Sequence, residues 1–216
     1  MANDRDTARR HALEGAREIA ALVARARGRA TARVVLFASA WAGEGTTTAV
    51  WAVARELREH YRQRTLVIDL DRRGARRSTR GTAPGLTEIG ADDVPVAECL
   101  REGPAGVSVL AWGGSRAGAS PDLDPLPALK RVIDACSDEF DVILVDARPI
   151  LDDPDTVALA RLTDGVVVVV EAGRTRFEVL ERVRAALQRE DVGILAAVLN
   201  KHVRRIPGWL YRLLLQ

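Results

Sequence analysis

The sequence lacks the features that would assign it to a specialised class of protein. Its only cysteines, Cys99 and Cys136, are far apart and lack the spacing of metal ligands, so we expect buried thiols in a reducing compartment. No segment approaches the roughly 20 apolar residues that span a bilayer, and the N-terminus has no apolar signal core. The formal net charge of +2 is too small to indicate nucleic-acid binding. These absences predict a cytoplasmic protein that does not bind nucleic acid.

A phosphate-binding loop is predicted after the first strand pattern. The apolar run Arg33–Ser39 breaks into a glycine-rich turn, and a helical pattern follows. Glycines let backbone N–H groups converge on an anion, and the positive end of the next helix adds to the attraction. The residues of this loop are Gly43, Glu44, Gly45, Thr46, Thr47 and Thr48. A lysine normally follows the second glycine of such a loop, and here Thr46 takes its place.

Strand and helix patterns alternate along the rest of the chain. Further strands are predicted at 65–70, 107–112, 141–146, 165–170 and 193–199, and helices at 4–27, around Val50–Leu57, at 96–101, at Leu126–Cys136 and at Val179–Leu187. Residues 74–93 and 113–127 are predicted as loops. This alternation predicts an α/β fold with a doubly wound, mostly parallel sheet and helices on both faces, in three layers.

The chain is long enough for one substantial core, and we divide it into three segments of one domain. Residues 1–30 form an amphipathic helix, residues 31–200 form the α/β unit, and residues 201–216 form a basic, aromatic tail. Three alternatives remain open for the tail. It docks on its own domain, binds a partner, or contacts the membrane interface, where residues such as Trp209 and Tyr211 are favoured.

Carboxylates stand where two of the predicted strands end. Asp69 and Asp71 follow one apolar run, and Asp146 closes another. Ligands of open α/β sheets bind beyond the carboxyl ends of the strands, which is also where the glycine-rich loop lies. A carboxylate there can hold Mg²⁺ or its waters, and a second can orient a nucleophile. The combination predicts a Mg²⁺-nucleotide site.

Three segments together resemble the bacterial tyrosine kinases that accompany polysaccharide co-polymerases, which are P-loop ATPases of the group that includes MinD and ParA. Gly43–Thr47 resembles their Walker A loop, Ile68–Arg73 their second, kinase-typical Walker A′ motif, and Val142–Pro149 their Walker B motif with the turn after it. The resemblance extends from about Glu14 to Asn200. It implies a P-loop fold that binds ATP or ADP with Mg²⁺.

The resemblance also implies roles for individual residues. Thr47 and Asp69 would ligate or support Mg²⁺, and Asp146 would hold it through water. Asp71 would be the catalytic base. Asn200, at the end of the last strand, matches a position that contacts the purine in related ATPases.

The departures from the family pattern indicate impaired catalysis. Thr46 replaces the lysine that neutralises phosphate charge, and its short neutral hydroxyl cannot act as an ammonium does. The tyrosine-rich tail of these kinases is missing, since Tyr61 and Tyr211 are the only tyrosines. Of the oligomerisation pattern Glu-x-x-Arg-x-x-Arg, Glu14 and Arg17 are kept, whereas alanine takes the third place. The pattern that accompanies ring assembly in this family is therefore only partly present.

These observations predict a kinase-like protein without kinase activity, which regulates or scaffolds a membrane polysaccharide co-polymerase of the Wzz type at the inner face of the plasma membrane. Its nucleotide binding would be weak and structural, and it could form homo-oligomers. The first alternative is an active ATPase or kinase that recruits a cation elsewhere, from Lys130, Lys201, an arginine or a partner subunit. The second is a membrane-surface positioning ATPase of the MinD type, which the kinase-like segment Asp69–Arg73 disfavours.

Overall fold

A parallel sheet lies at the centre of the protein. The structure is a computed structural model that describes residues 15–25, 33–70, 84–91, 94–113 and 124–201. Its strands are β1 (Arg33–Ser39), β2 (Thr65–Asp69), β3 (Arg101–Glu102), β4 (Ser108–Leu110), β5 (Val142–Asp146), β6 (Val166–Glu171) and β7 (Ile194–Asn200). They lie in the order β3-β4-β2-β5-β1-β6-β7. Every pair of neighbours is parallel except β3 and β4, which are antiparallel.

Helices cover both faces of this sheet. They are α1 (residues 15–24), α2 (Thr46–Glu59), α3 (Leu86–Gly90), α4 (Val96–Cys99), α5 (Pro125–Cys136), α6 (Pro154–Ala160) and α7 (Phe177–Arg189), with a single 3₁₀ turn at Pro104–Gly106. Connections from one parallel strand to the next need a crossover, and α2, α5, α6 and α7 each lie in such a connection. The predicted three-layer, doubly wound fold is confirmed.

Alternate residues of the central strands pack into two separate cores. Val35 and Phe37 of β1 lie in one core with the apolar residues of α1 and α2. Val34 and Leu36 lie in the other, with residues of α3, α5, α6 and α7. Side chains of a strand alternate between the faces of its sheet, so a strand covered on both faces must be apolar throughout. This explains the run of five valines in β6, all of which are buried.

Two predicted loops are shorter than the sequence pattern indicates. Residues 74–93 are predicted as loop, yet α3 lies within them and its Leu86 and Ile89 are fully buried. The Glu88 carboxylate accepts a hydrogen bond from the Gly85 N–H at 2.8 Å and closes the first turn of α3. The loop predicted at 113–127 also ends early, because α5 begins at Pro125. One turn of helix is too short for a 3.6-residue period to be visible in a sequence.

The helix α6 was not predicted from the sequence. Its start carries recognisable signals, since Asp153 caps it by accepting a hydrogen bond from the Asp155 N–H at 3.2 Å and Pro154 occupies the first turn. The whole helix has only seven residues, and they include few that are bulky and apolar. For this short helix, the capping residues Asp153 and Pro154 are therefore a better indication of helix than the periodicity of apolar residues.

Both cysteines are buried, as expected from their positions on apolar helix faces. Burial, with a smaller contribution from the nearby charge of Glu139, raises the pKa of the Cys136 thiol to about 11. The thiol therefore stays protonated at neutral pH, and Cys136 acts as a small apolar residue of the core.

Three sequence predictions lie wholly or partly outside the described residues. These are the ends of the N-terminal helix predicted at 4–27, the candidate base Asp71, and the tail from residue 202 onward. Within the part of the chain that the structure does describe, no helix has the length and apolar character needed to cross a membrane.

Candidate functional site

The glycine-rich loop connects β1 to α2 at the carboxyl edge of the sheet. β1 lies between β5 and β6, so the loop projects from the middle of that edge. Gly43 and Gly45 have positive φ angles of 85° and 102°, which glycine adopts without steric cost. Gly45 is the residue before α2, and the helix begins at Thr46. The first amides of α2 therefore lie at the loop, as the sequence predicts.

A cleft of about 470 Å³ opens beside this loop. Gly43, Gly45, Thr46 and Thr47 line it from the loop and the start of α2, and Ser39 and Ala42 line it beside them. The segment after β5 forms the opposite wall, with Asp146, Ala147, Arg148, Pro149 and Asp152. The volume lies within the usual range for small-ligand sites, roughly 300–1,000 Å³. Thr46 is only 9% exposed, so the residue in the lysine position is part of the wall.

The two carboxylates of the described strands are neighbours. Asp69 of β2 and Asp146 of β5 are paired in register, and both are buried. Their strand positions place them on the sheet face that carries α2, because Val67 and Leu144, two residues earlier, pack in the α2 core. Asp146 also lines the cleft. Mg²⁺ in nucleotide sites is held by one or two carboxylates together with phosphate oxygens, which this pair fits.

Glu44 and Thr48, both predicted to bind nucleotide, differ in position. The Glu44 carboxylate is fully buried and accepts hydrogen bonds from the Trp41 N–H at 3.0 Å and from the Thr175 hydroxyl. Its side chain thus holds the loop to the segment between β6 and α7. Thr48 is exposed and borders a second cavity of about 160 Å³ between α1, α2 and β7.

Asn200 and Lys201 hold the outer side of the loop. The Asn200 amide donates to the Glu44 carbonyl at 2.8 Å, and the Lys201 ammonium donates to the Gly43 carbonyl at 2.6 Å. Lys201 also forms an ion pair with Glu171 at 3.1 Å, and Arg174 binds the same carboxylate at 3.0 Å. We call these residues the loop clamp. With the loop carbonyls held from outside, the geometry of the turn is fixed.

Sequence reasoning missed most of this clamp. The family resemblance implies that Asn200 contacts a purine, and the sequence leaves Lys201 open as a replacement cation for the phosphates. Glu171 and Thr175 were not selected, since an acidic residue at a strand end followed by a turn has no distinctive spacing. The sequence does offer one signal for the clamp, which is the pair of hydrogen-bond donors Asn200 and Lys201 at the end of the last strand.

The clamp should loosen at acidic pH. Arg174 and Lys201 lower the pKa of Glu171 below its usual value of 4.5. A carboxylate with a lowered pKa in the folded state stabilises it above the unfolded-state pKa, and that contribution is lost as pH falls through the folded-state value. We expect the Gly43 and Gly45 amide resonances to titrate with a midpoint below 4.5, and Glu171→Gln to abolish this transition. An unchanged transition in Glu171→Gln would show that another group controls the loop.

Comparison with characterised proteins identifies the relatives of this chain. It is 25% identical over 173 residues to the tyrosine-protein kinase CpsD of Streptococcus agalactiae, and the match covers 78% of this chain and 75% of that protein. The chain is therefore homologous to tyrosine-protein kinases, namely CpsD and the ptk protein of Acinetobacter johnsonii. The succinoglycan biosynthesis transport protein ExoP of Rhizobium meliloti is 30% identical over 184 residues, and the match covers 78% of this chain but only 22% of ExoP. No protein-family model matches.

Solved structures agree with the kinase homology. The VpsO kinase domain superposes with a TM-score of 0.73 at 25% identity, and the match covers 91% of this chain and 98% of that domain. Cobyrinic acid a,c-diamide synthase from Mycobacterium smegmatis, solved with an ATP analogue and magnesium, has a TM-score of 0.59 at 22% identity, over 77% of this chain and 70% of that one. The second likeness concerns the fold alone. The P-loop architecture predicted for the kinase homologue is thereby confirmed.

Proposed function

We propose that this kinase homologue regulates or scaffolds a membrane polysaccharide co-polymerase in exopolysaccharide or capsule biosynthesis, without acting as a tyrosine kinase. The names of two relatives support this assignment, one a tyrosine-protein kinase and the other a succinoglycan biosynthesis transport protein. The proposed absence of kinase activity rests on the threonine at position 46. It lies in the wall of a formed cleft, where the loop lysine would neutralise phosphate charge.

The cleft would bind ADP or ATP weakly, with Mg²⁺. Backbone amides at Gly43, Gly45, Thr46 and Thr47 would receive the phosphates, because they lie at the positive end of α2. Thr47, Asp69 and Asp146 would hold the metal. The family resemblance assigns Asn200 to the base, but its amide donates to the Glu44 carbonyl and it does not line this cleft. Bound Mg²⁺ would offset phosphate charge. Asp71 keeps its role as candidate base only in the active alternative.

The positions of the two lysines argue against either of them as a replacement for the loop lysine. Lys201 is engaged by the Gly43 carbonyl and Glu171 on the outer side of the loop. Lys130 pairs with Asp134 at 2.7 Å on the exposed face of α5. Neither ammonium lines the cleft. The proposal therefore keeps nucleotide binding and omits phosphoryl transfer.

The proposed setting is the cytoplasmic side of the plasma membrane, reached through the co-polymerase. The aromatic tail would add a contact with the membrane interface or with the partner, since tryptophan, tyrosine and arginine suit such a surface. We also propose that the protein forms homo-oligomers. Residues Glu14 and Arg17 keep part of the relevant pattern.

Incubation with Mg²⁺-ATP is expected to leave the purified protein without phosphotyrosine, because Thr46 takes the place of the loop lysine and the two tyrosines, Tyr61 and Tyr211, stand alone rather than in a cluster. Phosphopeptide mass spectrometry measures this directly, and an active bacterial tyrosine kinase serves as positive control. Stoichiometric phosphate on Tyr61 or Tyr211 that disappears in Asp71→Asn would overturn the proposal in favour of an active kinase.

A further inference from the structure

One basic residue, Arg148, does line the cleft, and it also borders a small neighbouring cavity that Asp153 lines. Arg148 lies in the wall that faces the loop, and it is the sole lysine or arginine among the described residues that line this cleft. The same walls carry the carboxylates of Asp146 and Asp152. These two carboxylates repel the phosphates of a nucleotide that enters the cleft. The positive charge of Arg148 attracts the phosphates and opposes this repulsion.

The backbone on both sides of Arg148 is fixed to β1. The Ala147 N–H donates to the Phe37 carbonyl at 2.9 Å, and the Ile150 N–H donates to the Ser39 carbonyl at 2.9 Å. The Thr156 hydroxyl of α6 donates to the carbonyl of Arg148 itself at 3.2 Å. β1 also leads into the glycine-rich loop, so the two walls of the cleft are built on the same strand. The distance between them is therefore set by the sheet.

Within the described part of the chain, one ion pair holds the side chain of Arg148. Its Nη1 forms an ion pair with the Asp153 carboxylate at 2.8 Å, and that carboxylate is 9% exposed while the arginine side chain is 36% exposed. A guanidinium carries several N–H donors in one plane, so it can bind a carboxylate along one edge and a phosphate along another. Asp153 thus orients the group and reduces the freedom it would lose on binding.

We propose that Arg148 supplies, from the opposite wall of the cleft, the phosphate-binding charge that the loop lacks at Thr46. The ligand is the phosphate chain of a nucleoside di- or triphosphate. This inference rests on the nucleotide binding in the proposed function, and it concerns binding only. A cation in this wall stabilises a bound polyphosphate without occupying the place of the loop lysine, which is consistent with a nucleotide that is held but not turned over.

Four proteins test the inference, namely the unmodified chain, Arg148→Gln, Thr46→Lys and the double variant. Titration calorimetry with Mg²⁺-ADP is expected to show that Arg148→Gln weakens binding by about tenfold to a hundredfold, the range for one charge-assisted hydrogen bond. The loss should be smaller in the Thr46→Lys background, where a second cation already acts on the phosphates. A fifth protein, Arg148→Lys, should retain part of the affinity.

Arg161→Gln is the matched control. It removes the same charge from an exposed arginine at the end of α6, which pairs with Glu190 at 3.4 Å away from the cleft. Glutamine at position 148 can still donate to the buried Asp153, and thermal unfolding of each variant shows whether the fold is kept. Equal affinity in Arg148→Gln and the unmodified chain would overturn the inference and leave the proposed nucleotide binding intact. Failure of all four proteins to bind would overturn both.

Discussion

Thr46→Lys is expected to raise the affinity for Mg²⁺-ATP and Mg²⁺-ADP by about tenfold to a hundredfold without a change in fold. The glycine geometry and the helix amides are already present, so the substitution adds only the missing charge. A charge-assisted hydrogen bond contributes about 1.5–3 kcal/mol. Thr46 lines the cleft, so the longer side chain has space to extend. Titration calorimetry measures the gain, and phosphate release from Mg²⁺-ATP tests whether hydrolysis accompanies it.

Thr46→Gln separates the charge from the added length. It should bind nucleotide about as weakly as the unmodified protein, because its amide is neutral. If Thr46→Lys and the unmodified protein both fail to bind, the loop differs from a phosphate site by more than one residue. If the unmodified protein already binds tightly, the loop lysine is dispensable and the active-enzyme alternative is the better account.

Gly45→Ala is expected to lower the free energy of unfolding by about 1–3 kcal/mol and to abolish nucleotide binding. Gly45 has a φ of 102°, and a Cβ there would lie 2.0 Å from the Asn200 amide nitrogen. Asn200 cannot turn aside freely, because it donates to the Glu44 carbonyl and accepts from the Lys201 N–H. The added methyl group therefore strains the backbone and opens the loop clamp together. Chemical denaturation and calorimetry measure the two effects.

Gly173→Ala is the control for the backbone strain alone. Gly173 has a φ of 75°, and a Cβ at that position would meet nothing within 4 Å. Gly173→Ala should lower the free energy of unfolding by less than Gly45→Ala does, and it should retain nucleotide binding. Adding Asn200→Ala to Gly45→Ala should recover part of the lost stability, since it removes the clash but not the strained φ. Equal losses in the two glycine variants would show that the clamp contributes nothing.

The sequence predicted the layer architecture because each central strand is apolar on both faces and each long helix has a clear period. β6 and α7 are examples, since five consecutive valines and the buried pair Val183 and Leu187 leave little choice. Short elements were not predictable in the same way. The helix α3 depends on contacts with the end of β4, where the Leu86 N–H donates to the Ala111 carbonyl at 3.0 Å. Such a contact between distant segments leaves no periodic signal.

The carboxylates of the candidate site could be predicted from the sequence, but the contacts that hold the loop and the opposite wall of the cleft in place could not. Asp69 and Asp146 could be placed together because both end parallel strands, and the structure pairs them in register. The burial of Glu44 could not be foreseen, since a glutamate between two glycines usually faces solvent, and its partner Thr175 lies far along the chain. The position of Arg148 in the cleft depends on how the turn after β5 is bonded to β1, which no local pattern encodes.

The pairing of β1 has a consequence for how the protein folds. Arg33 lies opposite Val142, more than a hundred residues later in the chain, and β6 flanks the same strand from further still. Pairings between such distant segments form slowly, because the entropy of closing the long intervening loop is lost before the contacts can compensate for it. The loop at the end of β1 therefore acquires its shape only when the whole sheet has assembled. Nucleotide should bind the native state alone, and its addition should raise the unfolding temperature of the entire domain, because the added free energy of unfolding grows with the logarithm of the nucleotide concentration above the Kd.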